Sequence, residues 1–221
     1  EDGTEFTFHL REDVKFQDGT KFTGEAVKIS FDRAAKGTTV AAAAPTIFYD
    51  YIETQVVDDT TVVVKFSSPH ATFLQDLTRP WLMISSPAAI EKYGEDYGQH
   101  PVGTGPFILE EWATQDHITL TKNPDYNWAP EYMAHNGPAL LDEITFRFLP
   151  EQATRIAAFQ SGEASLVQDP SYLEASQMAT DPNVQLFTFV NPGMTSHQMI
   201  NVEKAPTDDI NVREALIYAV D

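Results

Sequence analysis

The chain of 221 residues is 42% hydrophobic and contains no cysteine, which fits one large or two small globular domains and excludes disulfide bonds and cysteine-ligated zinc sites. Its 33 acidic residues oppose 14 basic ones, for a formal net charge of −19, and this argues against nucleic-acid binding because phosphate backbones require clustered lysine and arginine. No apolar run in the sequence approaches the ~18 residues that a membrane span needs.

The first forty residues predict a strand, a tight turn and a helix. TEFTFHL alternates apolar and polar residues with the period of two that is typical of a strand. Asp18-Gly19 favours a turn between two short extended pieces. In the helical pattern that follows, we expect the Thr23 side chain to cap the exposed N–H groups and Gly37 to end the helix.

The next segment predicts two strands, two short helices and a boundary. YIETQVVDDTTVVVKFS contains two extended runs around Asp58-Asp59, and the second is rich in β-branched residues. ATFLQDL and PAAIEKYG predict short helices. Residues 95–105 form a loop with three glycines and a proline, which makes this loop the best candidate for an internal domain boundary.

Beyond that loop the pattern predicts a hairpin, a long irregular loop and an alternation of strands and helices. From Ile144 onward the order strand, helix, strand, helix, strand, strand indicates an α/β layer. The segments, in chain order, are PFILEEWA and HITLTKN (hairpin), NPDYNWAPEYMAHNGP (loop), LDEITFRFL (strand), PEQATRIAAFQSG (helix), ASLVQ (strand), PSYLEASQMA (helix), and NVQLFTFV and SHQMINV (strands).

No motif in the chain predicts catalysis, a metal site or a cofactor. Gly103-Thr104-Gly105 lacks the third glycine of a dinucleotide motif and leads into a strand pattern, so no helix N-terminus is available for a phosphate. The six histidines are scattered, without the spacing of a metal site, and we expect structural or surface roles for them. Acidic pairs such as Asp58-Asp59 fit turns, because adjacent strand residues point to opposite faces.

Aromatic residues outside the expected core are the candidates for ligand contact. Tyr49, Tyr51 and Trp81 combine an apolar body with a polar tip, a combination that suits either a binding site or packing onto the core, and both interpretations stay open. For Tyr126 and Trp128, in the irregular loop, we favour packing of the loop onto the core.

Several stretches together resemble one family. The opening stretch has a strand ending in His-Leu-Arg, a Phe-x-Asp-Gly turn and a helix preceded by threonine; Gly-Thr-Gly-Pro-Phe and Asn-Pro-x-Tyr follow, then a strand-helix-strand ending in Ser-Gly-Glu, and a final Val-Arg-x-Ala-Leu. In this order they resemble the family-5 solute-binding proteins of ABC importers, the dipeptide-, oligopeptide- and nickel-binding type. The chain departs from that pattern with an extra Asn127, with Ser165 in place of the usual aspartate, and at Thr207 and Asp208.

The resemblance implies an α/β fold: a lobe like those of periplasmic binding proteins (type II, cluster C), with a mixed sheet and an extra α+β subdomain. It implies that the chain is a piece of a longer protein, with residues 1–100 as the extra subdomain, 101–201 as the core sheet of the first lobe, and 202–221 as the start of the crossing into a second lobe. We expect this piece alone to bind solute weakly.

The resemblance also implies a function, which is the capture of peptides or similar small solutes for import, without catalysis or a cofactor. Expected partners are the solute and a membrane-embedded ABC permease, with a monomeric full-length protein located outside the cytoplasm, in the periplasm or lipid-anchored. Alternatives are a family member that binds sugars, opines or metal chelates and, in another class, a hydrolase with a carboxylate pair.

The expected ligand-contacting residues fall into three groups. The aromatic residues are candidates for ligand contact and would stack on the solute if it is a sugar, an opine or a metal chelate. The glycine segment has two open interpretations, a turn or part of the cleft wall, in which glycine permits another segment to approach closely. Asn201 is expected to face the cleft or to organise the hinge, and Arg213 to support the crossing helix. The candidates are Tyr49, Tyr51, Trp81, Gly103, Thr104, Gly105 and Asn201.

Overall fold

A computed structural model describes residues 3–37, 44–189 and 199–219. The chain divides into two compact units, residues 1–154 and 155–221, and the domain boundaries at 100 and 201 stay a prediction. The strands are β1 Glu5–His9, β2 Tyr51–Asp58, β3 Thr61–Phe66, β4 Phe107–Ala113, β5 His117–Lys122 and β6 Glu143–Arg147. The α-helices are α1 Gly24–Lys36, α2 Ala44–Ile47, α3 Phe73–Asp76, α4 Pro87–Tyr93, α5 Gln152–Gln160, α6 Tyr172–Met178 and α7 Ile210–Tyr218.

The first sheet has the order β1-β3-β2 and is antiparallel throughout. Its central strand β3 alternates half-buried and buried positions, because every second side chain of the β-branched run faces the core. That core is dominated by phenylalanine. The fully buried ring of Phe73 lies 4.8 Å from that of Phe66 and 5.0 Å from that of Phe6, measured between centroids. The predicted strands and the helix after them are confirmed.

Helix α1 packs closely against the β2–β3 hairpin. Gly24, its first residue, is buried, and its N–H donates to the Asp59 carbonyl over 2.8 Å. The expected side-chain cap from Thr23 is wrong, since that side chain makes no capping bond. The N–H of Gly24 is satisfied by the hairpin carbonyl, and the N–H of Ala26 donates to the Thr23 backbone carbonyl over 3.0 Å. Gly37 ends the helix with a left-handed φ of 63°, as predicted.

The turn at residues 15–21 also has the predicted form. Lys15 and Lys21 form an antiparallel bridge, and the Gly19 N–H donates to the Phe16 carbonyl over 2.9 Å. Gly19 has a φ of 83°, a conformation that favours glycine. Asp18 Oδ1 accepts from the Thr20 N–H over 3.0 Å. These bonds give the turn a fixed shape and leave the side chain of the intervening Gln17 to bond elsewhere.

The second sheet, also in the first unit, has the order β4-β5-β6 and is antiparallel. β4 and β5 form the predicted hairpin, and residues 123–142 contain neither helix nor strand, as the sequence indicates. α5 begins shortly after Pro150 and is followed by Gly162 with a φ of 78°. Every ladder in the described part of the chain is antiparallel.

The second unit contains helices but lacks the predicted strands. α6 begins with a capping box between Ser171 and Glu174. α7 follows Asp209, whose side chain accepts from a backbone N–H of the first turn. Arg213 donates to the carbonyls of Thr207 and Asp208 over 2.8 and 2.9 Å, which agrees with the expected structural role.

The three strands predicted after α5 are wrong as far as the structure describes them. ASLVQ, residues 183–189 of NVQLFTFV and residues 199–202 at the end of SHQMINV form no strand, and residues 190 and 196–198 lie outside the described residues. A strand requires a hydrogen-bonded neighbour, and the described part of this unit provides none. Leu166 and Phe189 are consequently 75% and 87% exposed.

Across residues 3–37, 44–189 and 199–219, no helix combines the length and the apolar character that a bilayer crossing demands.

Replacing Gly24 by alanine tests the contact between α1 and the hairpin. A Cβ at Gly24 lies 2.9 Å from the Asp58 carbonyl oxygen and from Val62 Cγ1, so that helix and hairpin must separate. We expect a loss of about 1–3 kcal/mol in the free energy of unfolding, measured by urea denaturation. The control Gly98→Ala meets no atom within 4 Å and should change it by less than about 0.5 kcal/mol. Equal effects of both substitutions would contradict the close packing.

Candidate functional site

Gln17, in the turn before α1, binds the segment 103–107 that leads into β4. Its backbone N–H donates to the Gly103 carbonyl over 2.9 Å, and its side-chain Oε1 accepts from the Gly103 N–H over 3.2 Å. Its Nε2 donates to the carbonyls of Gly105 and Phe107 over 3.2 and 2.6 Å. One residue thereby connects the turn before α1 to the start of the second sheet.

Two side chains from the irregular loop 123–142 complete this junction. Trp128 Nε1 donates to the Thr104 carbonyl over 2.8 Å, and Asn123 Nδ2 donates to the Gly105 carbonyl over 3.1 Å. Both Trp128 and Asn123 are buried, and the Tyr126 ring lies 5.2 Å from that of Trp128. The loop therefore packs onto the core through these residues, as expected from the sequence.

The glycines of the segment have a different role from the expected one. A Cβ at Gly103 or Gly105 meets no atom within 4 Å, and neither residue has a left-handed φ. The expectation that glycine there permits close approach of another segment is therefore wrong for the described residues. The segment acts through its backbone groups, and the missing side chains leave open space at the wall of a cavity.

That cavity has a volume of about 640 Å³ and lies between the two sheets of the first unit. Its wall is almost wholly apolar, and the described residues that line it include no carboxylate. It therefore suits an apolar group, and the carboxylate pair of the glycoside-hydrolase type is not found among its described lining residues. The lining residues are Phe8, Leu10, Gln17, Phe22, Val27, Phe31, Leu77, Leu82, Met83, Ile84, Pro101, Gly103, Thr104, Gly105, Phe107, Leu109 and Leu120.

A series of contacts, which we call the rim cluster, comprises Tyr49, His70, Asp76, Arg79 and Trp81. The rings of Tyr49 and His70 lie 5.4 Å apart, and His70 Nε2 lies 3.5 Å from Asp76 Oδ2. Arg79 Nε donates to Asp76 Oδ1 over 2.9 Å, and Arg79 Cζ lies 5.7 Å from the centre of the Trp81 ring. Tyr49 and Trp81, two of the three aromatic residues expected to contact ligand, thus belong to the rim cluster.

Two leucines that line the cavity are neighbours in the chain of rim-cluster residues, although no residue of the rim cluster itself lines the cavity. Leu77 follows Asp76, and Leu82 follows Trp81. Tyr49 is 66% exposed and Trp81 49% exposed, so that both rings offer free surface. The candidate site therefore has two parts, the apolar cavity and the exposed aromatic rings of the rim cluster.

Asp76 is the central acceptor of the rim cluster. Desolvation raises the pKa of this buried carboxyl, but hydrogen bonds from Thr72, Arg79 and His70 outweigh it, so that the pKa lies below its ordinary value. Thr72 Oγ1 donates to Asp76 Oδ2 over 2.9 Å. The carboxylate is ionised at neutral pH and fixes the position of Arg79.

His70 is the member of the rim cluster that packs against the aromatic core. Its side chain is buried, and its ring lies 4.7 Å from that of Phe66 and 5.6 Å from that of Phe73. Its Nδ1 has no hydrogen-bond partner among the described residues. A structural role, as the sequence suggests, fits this apolar setting.

Tyr51 differs from the other two aromatic candidates. It is half-buried, and its hydroxyl donates to Asp32 Oδ1 at 2.5 Å and lies 2.8 Å from Thr54 Oγ1. Burial, followed by the hydrogen bond to Asp32, raises the pKa of Tyr51. The hydroxyl is therefore engaged within the protein, and ligand contact by Tyr51 stays a prediction that would involve its ring.

Asn201 belongs to the second unit and is exposed. Its Oδ1 accepts from the Glu203 N–H over 2.9 Å, and its carbonyl accepts from Thr207 Oγ1 over 2.6 Å. These bonds organise a local turn before α7. A cleft-facing or hinge role for Asn201 stays a prediction.

Sequence reasoning did not identify Gln17, Asp76 and Arg79 as site residues. Gln17 occupies the variable position of a turn motif, and its partners lie far along the chain. In the sequence, Arg79-Pro80-Trp81 was the one indication of this site, because an arginine and a tryptophan flank a proline. In the described part of the chain, no three histidine or acidic side chains are arranged to hold a metal ion.

Comparison with known proteins shows relatives that bind small solutes. The chain is 37% identical to the glutathione-binding protein GsiB of Escherichia coli O1:K1 / APEC, over all of this chain and 41% of that protein. It superposes with a TM-score of 0.84 and 28% identity on MoaA of Agrobacterium tumefaciens R10 in complex with mannopinic acid, covering 100% of this chain and 43% of MoaA.

The third comparison is with DppA of Helicobacter pylori in complex with the peptide STSA, at a TM-score of 0.67 and 29% identity over 82% of this chain and 38% of DppA. This likeness confirms the expected periplasmic-binding-protein lobe. The chain spans about two fifths of the length of the relatives it matches. Residues 1–221 match the model of the bacterial extracellular solute-binding proteins, family 5 Middle, and the chain belongs to this family.

Exchange of Gln17 for glutamate tests the junction. The substitution keeps the side-chain shape but places an acceptor oxygen against the carbonyls of Gly105 and Phe107. We expect a loss of roughly 1–3 kcal/mol in the free energy of unfolding at neutral pH, because the Phe107 carbonyl then loses the Gln17 donor and both carbonyls face a partly buried carboxylate. The control Gln55→Glu makes the same charge change at an exposed position of β2 and should have little effect. Similar effects in both variants would count against the junction.

Replacing Asp76 by asparagine tests the centre of the rim cluster. We expect the free energy of unfolding to fall by about 1–3 kcal/mol at neutral pH. Because the folded-state pKa of Asp76 is depressed, its carboxylate stabilises the fold above the unfolded pKa of roughly 3.9 and loses that contribution as pH falls through the folded pKa. Urea titrations at a series of pH values should show the two proteins converge at the acid end. A difference independent of pH would disprove this role.

Proposed function

We propose that this chain, as a member of the family-5 solute-binding proteins, is part of the substrate-binding component of an ABC importer. The component captures peptides or similar small solutes outside the cytoplasm and delivers them to a membrane permease. The family match over the whole chain carries this proposal. The glutathione- and peptide-binding relatives support the assignment of the solute class.

Capture requires a second surface opposite the one described here. The relatives are more than twice as long as the matched region, since that region is 41% of GsiB. We infer that the full-length protein has a second lobe that closes over the solute by hinge motion. Binding holds the solute through apolar contacts and backbone or side-chain hydrogen bonds, without a chemical step and without a cofactor.

In this proposal the candidate site supplies one wall of the binding cleft. Tyr49 and Trp81 contact the solute with their exposed rings, and the cavity beside Gly103, Thr104 and Gly105 takes an apolar group. Tyr51 contacts the solute through its ring, while its hydroxyl stays bonded to Asp32. Asn201 organises the start of the crossing between lobes.

An opine is the second candidate solute, because MoaA, the relative that superposes with a TM-score of 0.84, holds mannopinic acid. Opines and peptides both combine polar ends with a variable body. An aromatic rim beside an apolar cavity accepts either class. Sugars and metal chelates, which the sequence also left open, gain no specific support from the described residues.

The proposal includes a location and partners. The family description places its members outside the cell membrane, and we propose a periplasmic or lipid-anchored protein. The binding component acts as a monomer that docks on the permease when closed.

The direct test of this proposal identifies the solute that is bound to the full-length protein. Protein purified without denaturation is unfolded, and the released small molecules are identified by mass spectrometry and then titrated back by calorimetry. We expect about one peptide-like or opine-like solute per protein and a transport defect for that solute in a strain that lacks the gene. Absence of any bound or rebinding solute would overturn the proposed function.

A matched pair of tryptophan variants tests the location of the site. Trp81→Ala in the full-length protein should weaken the affinity for the identified solute at least about tenfold, since an aromatic contact of this size contributes roughly 1.5–3 kcal/mol. Trp112→Ala is the control, because Trp112 is similarly exposed, at 43% against 49% for Trp81, and lies on β4 outside the cavity wall. Equal losses in both variants would exclude the rim cluster as the contact surface.

A further inference from the structure

We propose that Asn136 is a modification site, where the side-chain amide is lost without an enzyme and aspartate and isoaspartate replace asparagine. The isoaspartate product weakens the junction between the loop 123–142 and the segment 103–107. This inference does not depend on the proposed function. It is carried by the way in which the loop presents the Asn136-Gly137 pair to solvent.

Asn136 is the one asparagine of the chain that is followed by glycine. Deamidation begins when the backbone nitrogen of the next residue attacks the side-chain carbon Cγ, and a side chain on that next residue obstructs the approach. Asn123 and Asn191 precede proline, whose nitrogen has no hydrogen to lose. The remaining asparagines precede tryptophan or valine. Gly137 therefore offers the least hindered backbone nitrogen for this reaction.

The loop requires glycine at position 137. Gly137 has a φ of 120°, in a region that residues with a side chain rarely adopt. Next to it, His135 Nε2 lies 2.9 Å from the Pro138 carbonyl oxygen, a contact that connects the two sides of the pair. Because any other residue at 137 would strain the loop, the reactive pair follows from the loop conformation.

The reacting groups are accessible. Asn136 is exposed and lies in a segment without helix or strand. In the described part of the chain, neither the Gly137 N–H nor Asn136 Nδ2 has a hydrogen-bond partner. Asn183 differs, because its Nδ2 donates to Asp181 Oδ1 over 3.1 Å. No hydrogen bond of the attacking nitrogen or of the leaving nitrogen therefore has to break before the reaction.

One hydrogen bond of Asn136 favours the attack. The Ala129 N–H donates to Asn136 Oδ1 over 2.9 Å. Negative charge develops on this oxygen when a nitrogen adds to Cγ, and a fixed backbone donor stabilises such a charge. Ala129 thus supplies the kind of donor that an oxyanion hole supplies in acyl transfer.

The reaction needs only water. The Gly137 nitrogen loses its proton to solvent and forms a bond to Asn136 Cγ, while the bond from Cγ to Nδ2 breaks and Nδ2 leaves as ammonia after taking up a proton. Water then opens the succinimide ring. Cleavage of the bond to Cγ gives aspartate, whereas cleavage of the bond to the main-chain carbonyl carbon gives isoaspartate, in which the main chain runs through Cγ. Nothing is oxidised or reduced.

The two products affect the junction differently. Aspartate keeps a side-chain oxygen that accepts from the Ala129 N–H. Isoaspartate adds a carbon to the main chain and turns Cγ into a peptide carbon, so that this bond loses its geometry. Ala129 directly follows Trp128, whose Nε1 donates to the Thr104 carbonyl over 2.8 Å. We expect isoaspartate at position 136 to weaken that bond at the cavity wall.

Ageing of the full-length protein tests the inference. Folded wild type is incubated at mildly alkaline pH, and peptide mapping by mass spectrometry follows the conversion of each asparagine. Labelling with an isoaspartyl methyltransferase measures the isoaspartate. Asn136→Gln is the matched control, because it keeps the amide but enlarges the ring that must close, and Asn136→Asp reproduces the aspartate product. A parallel sample in urea gives the rate for the unfolded chain.

We expect Asn136 to convert in the folded protein at least about tenfold faster than Asn127 in the same loop, which corresponds to a barrier lower by roughly 1.4 kcal/mol. Asn136→Gln should show no conversion at this position. Equal rates at Asn136 and Asn127, or conversion of Asn136 only in the urea sample, overturn the inference.

The consequence for the junction has its own measurement. Aged wild type should unfold at a lower urea concentration than fresh protein, whereas aged Asn136→Gln and fresh Asn136→Asp should not. The NMR signal of the Trp128 indole N–H should shift as isoaspartate accumulates. Unchanged unfolding together with an unchanged Trp128 signal after conversion overturns the link to the junction, as does a fresh Asn136→Asp protein that is as unstable as aged wild type. None of these outcomes affects the proposed capture of a solute.

Discussion

The arrangement of the first unit depends on the hydrogen bonds that Gln17 makes with residues 103–107. No ladder among the described residues joins the β1-β3-β2 sheet to the β4-β5-β6 sheet, so that contacts between side chains and loops must hold them in place. Gln17 supplies a donor and an acceptor at once, while Trp128 and Asn123 satisfy the neighbouring carbonyls. Because unpaired buried carbonyls are costly, this set of bonds specifies one geometry, and the apolar cavity is the space that the geometry leaves between the sheets.

In the rim cluster, hydrogen bonds likewise hold exposed groups in one geometry. Buried His70 lies against the rings of Phe66 and Phe73 and contacts buried Asp76, which holds Arg79 beside the Trp81 ring. A binding group that is supported from beneath loses less freedom on contact with a ligand than a free surface side chain does. The depressed pKa of Asp76 follows from this arrangement, because the hydrogen bonds that it accepts favour its charged form.

These two features contribute different properties. The cavity contributes apolar area, and its lining residues impose few directional requirements. The rim cluster contributes exposed aromatic rings beside polar groups that are held in fixed positions. In the function that we propose, a second lobe closes over the solute and completes the enclosure.

The sequence by itself determined the family, the strands up to Arg147 and the helices other than α2, because period, turn residues and β-branched runs are local signals. It erred for the Thr23 cap, where Asp59 supplied the acceptor, and for ASLVQ, since a strand depends on a neighbour that its own residues do not encode. Only the tertiary structure placed Gln17 against Gly103, 86 residues away, and joined Tyr49 to Trp81 through Asp76 and Arg79. Contacts between distant residues produce no periodic pattern in the sequence, because they depend on how the helices and strands pack against one another.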